Sequence, residues 1–270
     1  MPELFLDSVA VDYPDRDGGE RLRAVADVSV RVGTGEFVTV VGPSGCGKTS
    51  LLHAVAGLLP PAAGRITLGG TRITGPGSER ALVFQHASLL PWRTAFGNVT
   101  YGLELRRVPR ARARERAAAM MDLVGLVDAT GRYPHELSGG MQQRVNLARA
   151  LALDPTVLLM DEPFAAMDAQ TRETMQGELS RICAGTGKSV LFITHDIEEA
   201  VLLGDRVVVL SAGPATTVAD VVPVPLVRPR AAAVRRTGDF VDLVDRVRSA
   251  LSGAGRSDAR HRDTRHRESV

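Results

Sequence analysis

Apolar residues gather along this chain in short blocks set apart by Gly, Pro, Asp and Ser, and the blocks are of two kinds. Residues 4–12 read as a strand, and Val28, Val30 and Val32 give 24–32 the period of two of a half-buried strand. With the short run 65–68 before Gly69-Gly70, they predict a small antiparallel sheet. The second kind is continuous: 36–41, 81–84, 157–160, 189–194 and 206–210, with 218–222 closing the set. Such runs are too short for helices and suit strands of a parallel sheet buried on both faces. Helical patterns lie between them at 51–59, 95–105, much of 104–124, 138–153, 169 to about 184, and 197–203. Val145, Ala148 and Ala152 mark the buried face of the fourth. Strand and helix alternate, which predicts an α/β domain. Past Pro223 one amphipathic helix is expected over 231–252, with Phe240, Leu243, Val244, Val247 and Leu251 on one face. Residues 253–270 hold five arginines and almost nothing apolar, and are expected to be a disordered tail.

Charge and cysteine content narrow the function. A net charge of +2 over 270 residues makes no demand for a polyanionic partner. Two cysteines, Cys46 and Cys183, offer no disulfide framework and fit a reducing, cytosolic setting. The start lacks a signal-peptide pattern, and no run of about 18 apolar residues is present to span a membrane. A membrane role would have to pass through a partner.

The strongest chemistry follows the run 36–41. Gly42-Pro43-Ser44-Gly45-Cys46-Gly47-Lys48-Thr49-Ser50 has the Gly-x4-Gly-Lys-Thr spacing between a strand and a helix, the context of a phosphate-binding loop. Glycines let consecutive N–H groups turn inward on an anion, and the helix behind adds its positive end. Lys48 is placed to reach the β- and γ-phosphates, and the Thr49 hydroxyl to hold Mg²⁺. The alternative is a Gly-rich turn before a helix. Against it, a chain with thirty-one arginines and two lysines has put one lysine here, where a compact ammonium is needed.

Other reactive groups stand at the ends of the apolar runs. Asp161-Glu162 ends 157–160, and adjacent carboxylates there are costly unless they meet a cation or do chemistry. His195 ends 189–194 and Gln85 ends 81–84, both open to a structural reading when taken alone. Ligands in open α/β sheets bind at such strand ends. Ser138-Gly139-Gly140 opens a helix and makes a second anion-binding terminus, or only a cap. Tyr13 either stacks on an adenine or is an ordinary turn tyrosine. Leu89, Leu90 and Trp92 form a docking surface or a core-facing loop, and the arginines from 106 to 116 read best as a solvated helix face.

Taken in order, the phosphate loop, Gln85, Leu137-Ser-Gly-Gly-Met-Gln-Gln-Arg144, Asp161-Glu162, Asp168 and His195 resemble the ATP-binding subunit of an ABC transporter over residues 3–230. Leu90-Pro-Trp-Arg93, Asp161-Glu-Pro-Phe164, Thr194-His-Asp196 and Arg228-Pro-Arg230 look like the importer branch for nitrate, taurine and aliphatic sulfonates. Ala165 and Met167 depart from that branch, which more often has Gly and Leu there. The resemblance implies a P-loop NTPase core with a parallel sheet, a small antiparallel β subdomain and a helical signature subdomain at about 86–155. It implies ATP hydrolysis with Mg²⁺ held by Thr49 and Gln85 and, through water, by Asp161. It also implies Glu162 as general base, His195 at the γ-phosphate and Tyr13 against adenine. Ser138, Gly139 and Gly140 would serve the site of a second copy or close homologue, with Asp168 at the seam. The implied partners are permease subunits in the membrane and an extracytoplasmic solute-binding protein, with no specific nucleic acid. The subunit itself would sit on the cytoplasmic side of the membrane. Rival classes are a soluble ABC ATPase acting on nucleic acid or ribosomes, and a P-loop phosphotransferase.

Overall fold

A computed structural model describes residues 2–14, 21–213 and 215–267, with side chains of the last helix as far as residue 254. The turn expected over Pro14–Glu20 lies outside the described residues from Asp15 onward. Strands β3 (Phe37–Val41), β7 (Val157–Asp161) and β8 (Ser189–Ile193) are buried at every position, as continuous apolar runs require. With β6 (Arg80–Val83) and β9 (Arg206–Leu210) they form a parallel sheet in the order β9-β3-β8-β7-β6. The antiparallel sheet comprises β1 (Leu4–Tyr13), β2 (Leu22–Val32), β4 (Ala63–Leu68) and a two-residue β5 (Thr71–Arg72). The two halves are joined by β10 (Thr216–Pro223), antiparallel to β9 on one side and parallel to β2 on the other. That single seam makes one sheet of ten strands among the described residues.

Helix α1 (Lys48–Ala56) follows the loop after β3 and packs on β7. Helices α2 (Ala95–Leu105), α3 (Arg110–Leu123) and α4 (Gly139–Ala152) gather around a core of their own, built from Val99, Leu103, Ala117, Met121, Val145 and Ala148. The helical stretch expected at 104–124 is broken, and the correction has a local cause. Val108 precedes Pro109, which disfavours helical backbone there, and Arg107 sits at a φ of 55°. The arginines at 106, 107, 110, 112 and 114 are exposed, as a solvated face requires. α5 (Ala169–Thr186) and α6 (Ile197–Leu203) cover the parallel sheet.

The C-terminal helix differs from expectation. A short 3-10 turn, Ala232–Arg236, comes first, and α7 runs Gly238–Arg267, past the boundary at 252. Phe240, Val244 and Val247 are buried on the face that the pattern indicated. The helix runs on through Gly253 and Gly255, residues that weaken a helix interior, so composition pointed away from it.

Arg228-Pro-Arg230 turns out to lock this end of the chain. The Arg228 guanidinium pairs with Asp205 at 2.7 Å and donates to the Gly35 carbonyl. Arg230, 6% exposed, donates to the carbonyls of Val201, Leu202, Gly204, Val224 and Leu226. It thereby satisfies the C-terminal carbonyls of α6 with a cation, the charge that a helix end favours. Burial pulls its pKa down to about 10, which leaves it charged at neutral pH.

Candidate functional site

Register brings the site together. Val40 of β3 lies beside Ile193 of β8, Ile193 beside Asp161 of β7, and Met160 beside Val83 of β6. Four chain segments far apart in sequence therefore end at one sheet edge: the phosphate loop, Thr194-His195, Asp161-Glu162 and Phe84-Gln85.

The loop closes tightly. Gly47 has a φ of 94°, and a Cβ there would lie 2.9 Å from the Ala24 carbonyl on β2, so only glycine fits without displacing backbone. Thr216 on β10 donates its hydroxyl to the Cys46 carbonyl. Lys48 is buried, and its Nζ donates to the carbonyls of Gly42 at 2.8 Å and Pro43 at 2.9 Å. These bonds hold the ammonium over the loop, where phosphates on the loop amides would meet it. Burial raises the Cys46 thiol pKa. Tyr13 ends β1 and donates to the Ser50 hydroxyl at 3.0 Å, which sets its half-exposed ring beside the start of α1.

The carboxylates take different environments. Asp161 is 5% exposed; burial raises its pKa, and a hydrogen bond with Thr49 offsets part of that cost. Glu162 follows at a φ of 42°, a left-handed conformation that costs a residue with a side chain about 1–3 kcal/mol. Its N–H returns to the Ile193 carbonyl at 3.0 Å. Its Oε2 meets His195 Nδ1 at 2.9 Å and Gln85 Nε2 at 3.4 Å. The strained turn thus gathers three of the expected residues at one carboxylate oxygen. A cavity of about 40 Å³ is lined by Glu162 and His195 together with Arg172 and Glu199.

The donors fit Mg²⁺. Among the described residues no three His, Cys, Asp or Glu side chains converge on a metal position. The chain offers instead a buried carboxylate with a hydroxyl against it, and oxygen donors of this sort suit a hard cation whose other ligands are phosphate and water.

Ser138, Gly139 and Gly140 open α4 on an exposed surface, and the Ser138 hydroxyl accepts from the Met141 N–H at 3.3 Å. Gly140 abuts the start of α5, where the Asp168 carboxylate caps the Thr171 N–H at 2.9 Å and has its pKa held low by that bond. No hydrogen bond joins these four residues to the Glu162–His195 group within the chain, among those described.

Three side chains of α4 join the two regions: Gln143, quoted above only as part of the signature, and Asn146 and Arg149, which pattern reading passed over. Gln143 donates to the Phe84 carbonyl at 2.8 Å, Asn146 to the same carbonyl, and Arg149 to the carbonyls of Ala87 and Ser88. Their spacing of three along α4 puts polar groups on one helix face, a signal that the sequence did contain. In the next turn of chain Leu89 packs on the helical core and Asn98 holds both the N–H and the carbonyl of Leu90. Trp92 is 71% exposed. The expected apolar patch thus narrows to one indole.

Residues 25–165 match the family model described as ABC transporter. The chain is 51% identical over 214 residues to a taurine import ATP-binding protein of Chromobacterium violaceum, covering 79% of this chain and 80% of that one. It is 46% identical over 228 residues to a nitrate import ATP-binding protein of Synechococcus elongatus, covering 82% of this chain but 35% of the longer relative. Among solved structures, a dimeric ATP-binding cassette in a post-hydrolysis state with ADP and phosphate aligns with a TM-score of 0.75 and 30% identity. That alignment covers 83% of this chain and all of the other.

Proposed function

The chain belongs to the ABC transporter family of ATP-binding subunits, and from that premise we propose that its ATP hydrolysis powers uptake of a small anionic solute through separate permease subunits. Taurine, an aliphatic sulfonate or nitrate is the solute class favoured by the names of its relatives. The observation that carries the hydrolytic reading is the Glu162–His195 contact of 2.9 Å at the sheet edge that also holds the phosphate loop.

In this reading the loop amides of 42–50 and the Lys48 ammonium bind the phosphates, and Tyr13 lies against the adenine. Thr49 and Gln85 would hold Mg²⁺, with Asp161 reaching it through water, and the ion would neutralise charge on the phosphate oxygens. Glu162 accepts a proton from the attacking water. An ionised carboxylate only accepts hydrogen bonds, so the His195 Nδ1 carries its proton toward Glu162 and the Nε2 edge is left for the γ-phosphate. Ser138, Gly139 and Gly140 act on the nucleotide of a second copy, giving a head-to-tail dimer with Asp168 at the seam.

The loop from Gln85 to Trp92 passes the change to a permease, and an extracytoplasmic binding protein delivers the solute. The subunit works at the cytoplasmic face as a peripheral component. Among the described residues no helix is long and apolar enough to cross a membrane.

Subunit mixing tests the shared site. Lys48→Ala and Ser138→Arg homodimers are each expected to be inactive, whereas a mixed dimer retains one site with both groups intact. Turnover that rises on mixing supports the reading; two inactive proteins that stay inactive together, although they form mixed dimers, refute it. The solute class is read from proteoliposomes carrying the permease and binding protein, as stimulation of ATPase by taurine, an alkanesulfonate or nitrate.

A further inference from the structure

A chain of hydrogen-bonded polar side chains starts beside His195, runs through buried Glu199 and Gln176 and ends on half-buried Arg235 in the C-terminal segment. Thr194, immediately before the histidine, donates its hydroxyl to Glu199 and accepts the N–H of Asp196, immediately after it. The other Glu199 oxygen accepts from Gln176 Nε2 on α5 at 2.8 Å. The Gln176 amide oxygen accepts from Arg235 Nη2 at 2.9 Å, in the 3-10 turn that precedes α7. Glu199 is 4% exposed and Gln176 1%, so water does not compete for the bond between them, while Arg235 at the far end is half-buried.

The direction of every bond follows from its terminal member. A guanidinium only donates, so Gln176 must turn its oxygen to Arg235 and its NH₂ to Glu199. With Glu199 ionised, its carboxylate accepts at both oxygens, so the Thr194 hydroxyl turns its proton to Glu199 and its oxygen accepts the Asp196 N–H. Both backbone neighbours of His195 are thereby fixed by one hydroxyl, and the ring is presented to Glu162 at 2.9 Å. None of these groups touches the phosphate loop in a hydrogen bond.

We propose that Glu199, Gln176 and Arg235 are positioning residues for hydrolysis, a relay through which the segment Ala232–Arg236 sets the orientation of His195. This rests on the role assigned above to His195. The relay gives the C-terminal part of the chain a way to act on turnover without touching nucleotide. Orientation errors near 1 Å can cost up to about 10²-fold in rate.

The test uses the full chain, with kcat, KM for ATP, affinity for a fluorescent ATP analogue and thermal unfolding measured on each variant. Arg235→Ala and Gln176→Leu are expected to lower kcat by about tenfold or more with KM and analogue affinity within twofold. Arg235→Lys, which also only donates, should recover part of the loss. Glu199→Gln should lower kcat while leaving the fold intact, which guards against a loss of stability being read as a loss of orientation. His195→Ala is the control. If it turns over at the unaltered rate, the assignment of His195 itself falls. If His195→Ala is inactive while Arg235→Ala and Glu199→Gln keep full kcat, the relay alone is overturned. Losses that track thermal stability, or that lysine does not relieve, also overturn it.

Discussion

Replacing Glu162 by Gln should separate binding from hydrolysis. The substitution keeps the shape of the side chain, and an amide oxygen still accepts from His195 Nδ1 at the 2.9 Å position. The left-handed turn at 162 is imposed by the β7 and β8 ladder and the Glu162 N–H to Ile193 bond, neither of which involves the side chain. What disappears is basicity. Loss of a positioned general base costs about 10²–10⁴-fold, or roughly 2.7–5.4 kcal/mol on the barrier at about 1.36 kcal/mol per decade. Nucleotide affinity has no such dependence, because Lys48 and the loop amides are untouched. Phosphate release should therefore fall by at least about 10²-fold while ATP affinity stays within a few-fold and light scattering with ATP reports pairing. Turnover within about tenfold of the unaltered chain would remove Glu162 from the base role. A monomer at saturating ATP, alone and with the permease, would remove the dimer.

Trp92→Ala should leave ATPase of the isolated subunit within about twofold, since the indole is solvent-exposed, and should reduce co-purification with the permease. Arg230→Met strips a cation from five carbonyls, and at about 1 kcal/mol or more for each buried acceptor not recovered by water it should cost about 3 kcal/mol or more in denaturant unfolding. The Glu199 carboxyl has its pKa raised above 4.5 by burial, so its contribution to stability is full below about 4.5 and is lost as pH climbs through the raised folded value. Glu199→Gln lacks this titration, so its thermal stability relative to the unaltered chain should improve across that window and then level. Asp161 is raised in the same direction but is present in both proteins and cancels in the difference.

The strand ends were legible because burial and chemistry alternate along one local stretch. Val157–Met160 is apolar at every position and Asp161-Glu162 is not, so the edge announces itself within six residues. The same holds for Phe192-Ile193 before Thr194-His195. Helix limits at Ala95–Leu105 and Ile197–Leu203 were likewise set by local signals, Thr94 and Asp196 being caps that accept from the third residue onward. What stayed hidden is non-local. β10 meets β9 as a local hairpin, but its parallel pairing with β2 brings Thr216 beside Val25 from the other end of the chain. Gln176 and Arg235 stand 59 positions apart, and no periodicity links them. The break at 106–109 was legible in Pro109 but was overrun by the helix-forming residues on both sides.

The two ways of holding the site have different mechanical consequences. Asp161, Glu162 and His195 hang from strands buried at every residue, and shifting them would uncover apolar surface at about 25 cal/mol per Å². Gln85 is mounted otherwise. After Val83 the ladder with β7 ends, and the following residues are held by amide and guanidinium groups of Gln143, Asn146, Arg149 and Asn98 on main-chain carbonyls. Such bonds exchange with water for about 1 kcal/mol each, so this joint can be remade while the sheet cannot. Because Gln143, Asn146 and Arg149 belong to the helix that begins at Ser138-Gly139-Gly140 and hold the carbonyls of Phe84, Ala87 and Ser88 on either side of Gln85, a displacement of that loop would pass along α4 to its exposed end. The helical core formed by Val99, Met121 and Val145 must travel with it as one body. On the function proposed above, a change at one γ-phosphate would thereby be converted into motion of the surface offered to the other nucleotide, with Trp92 on the same loop carrying it outward.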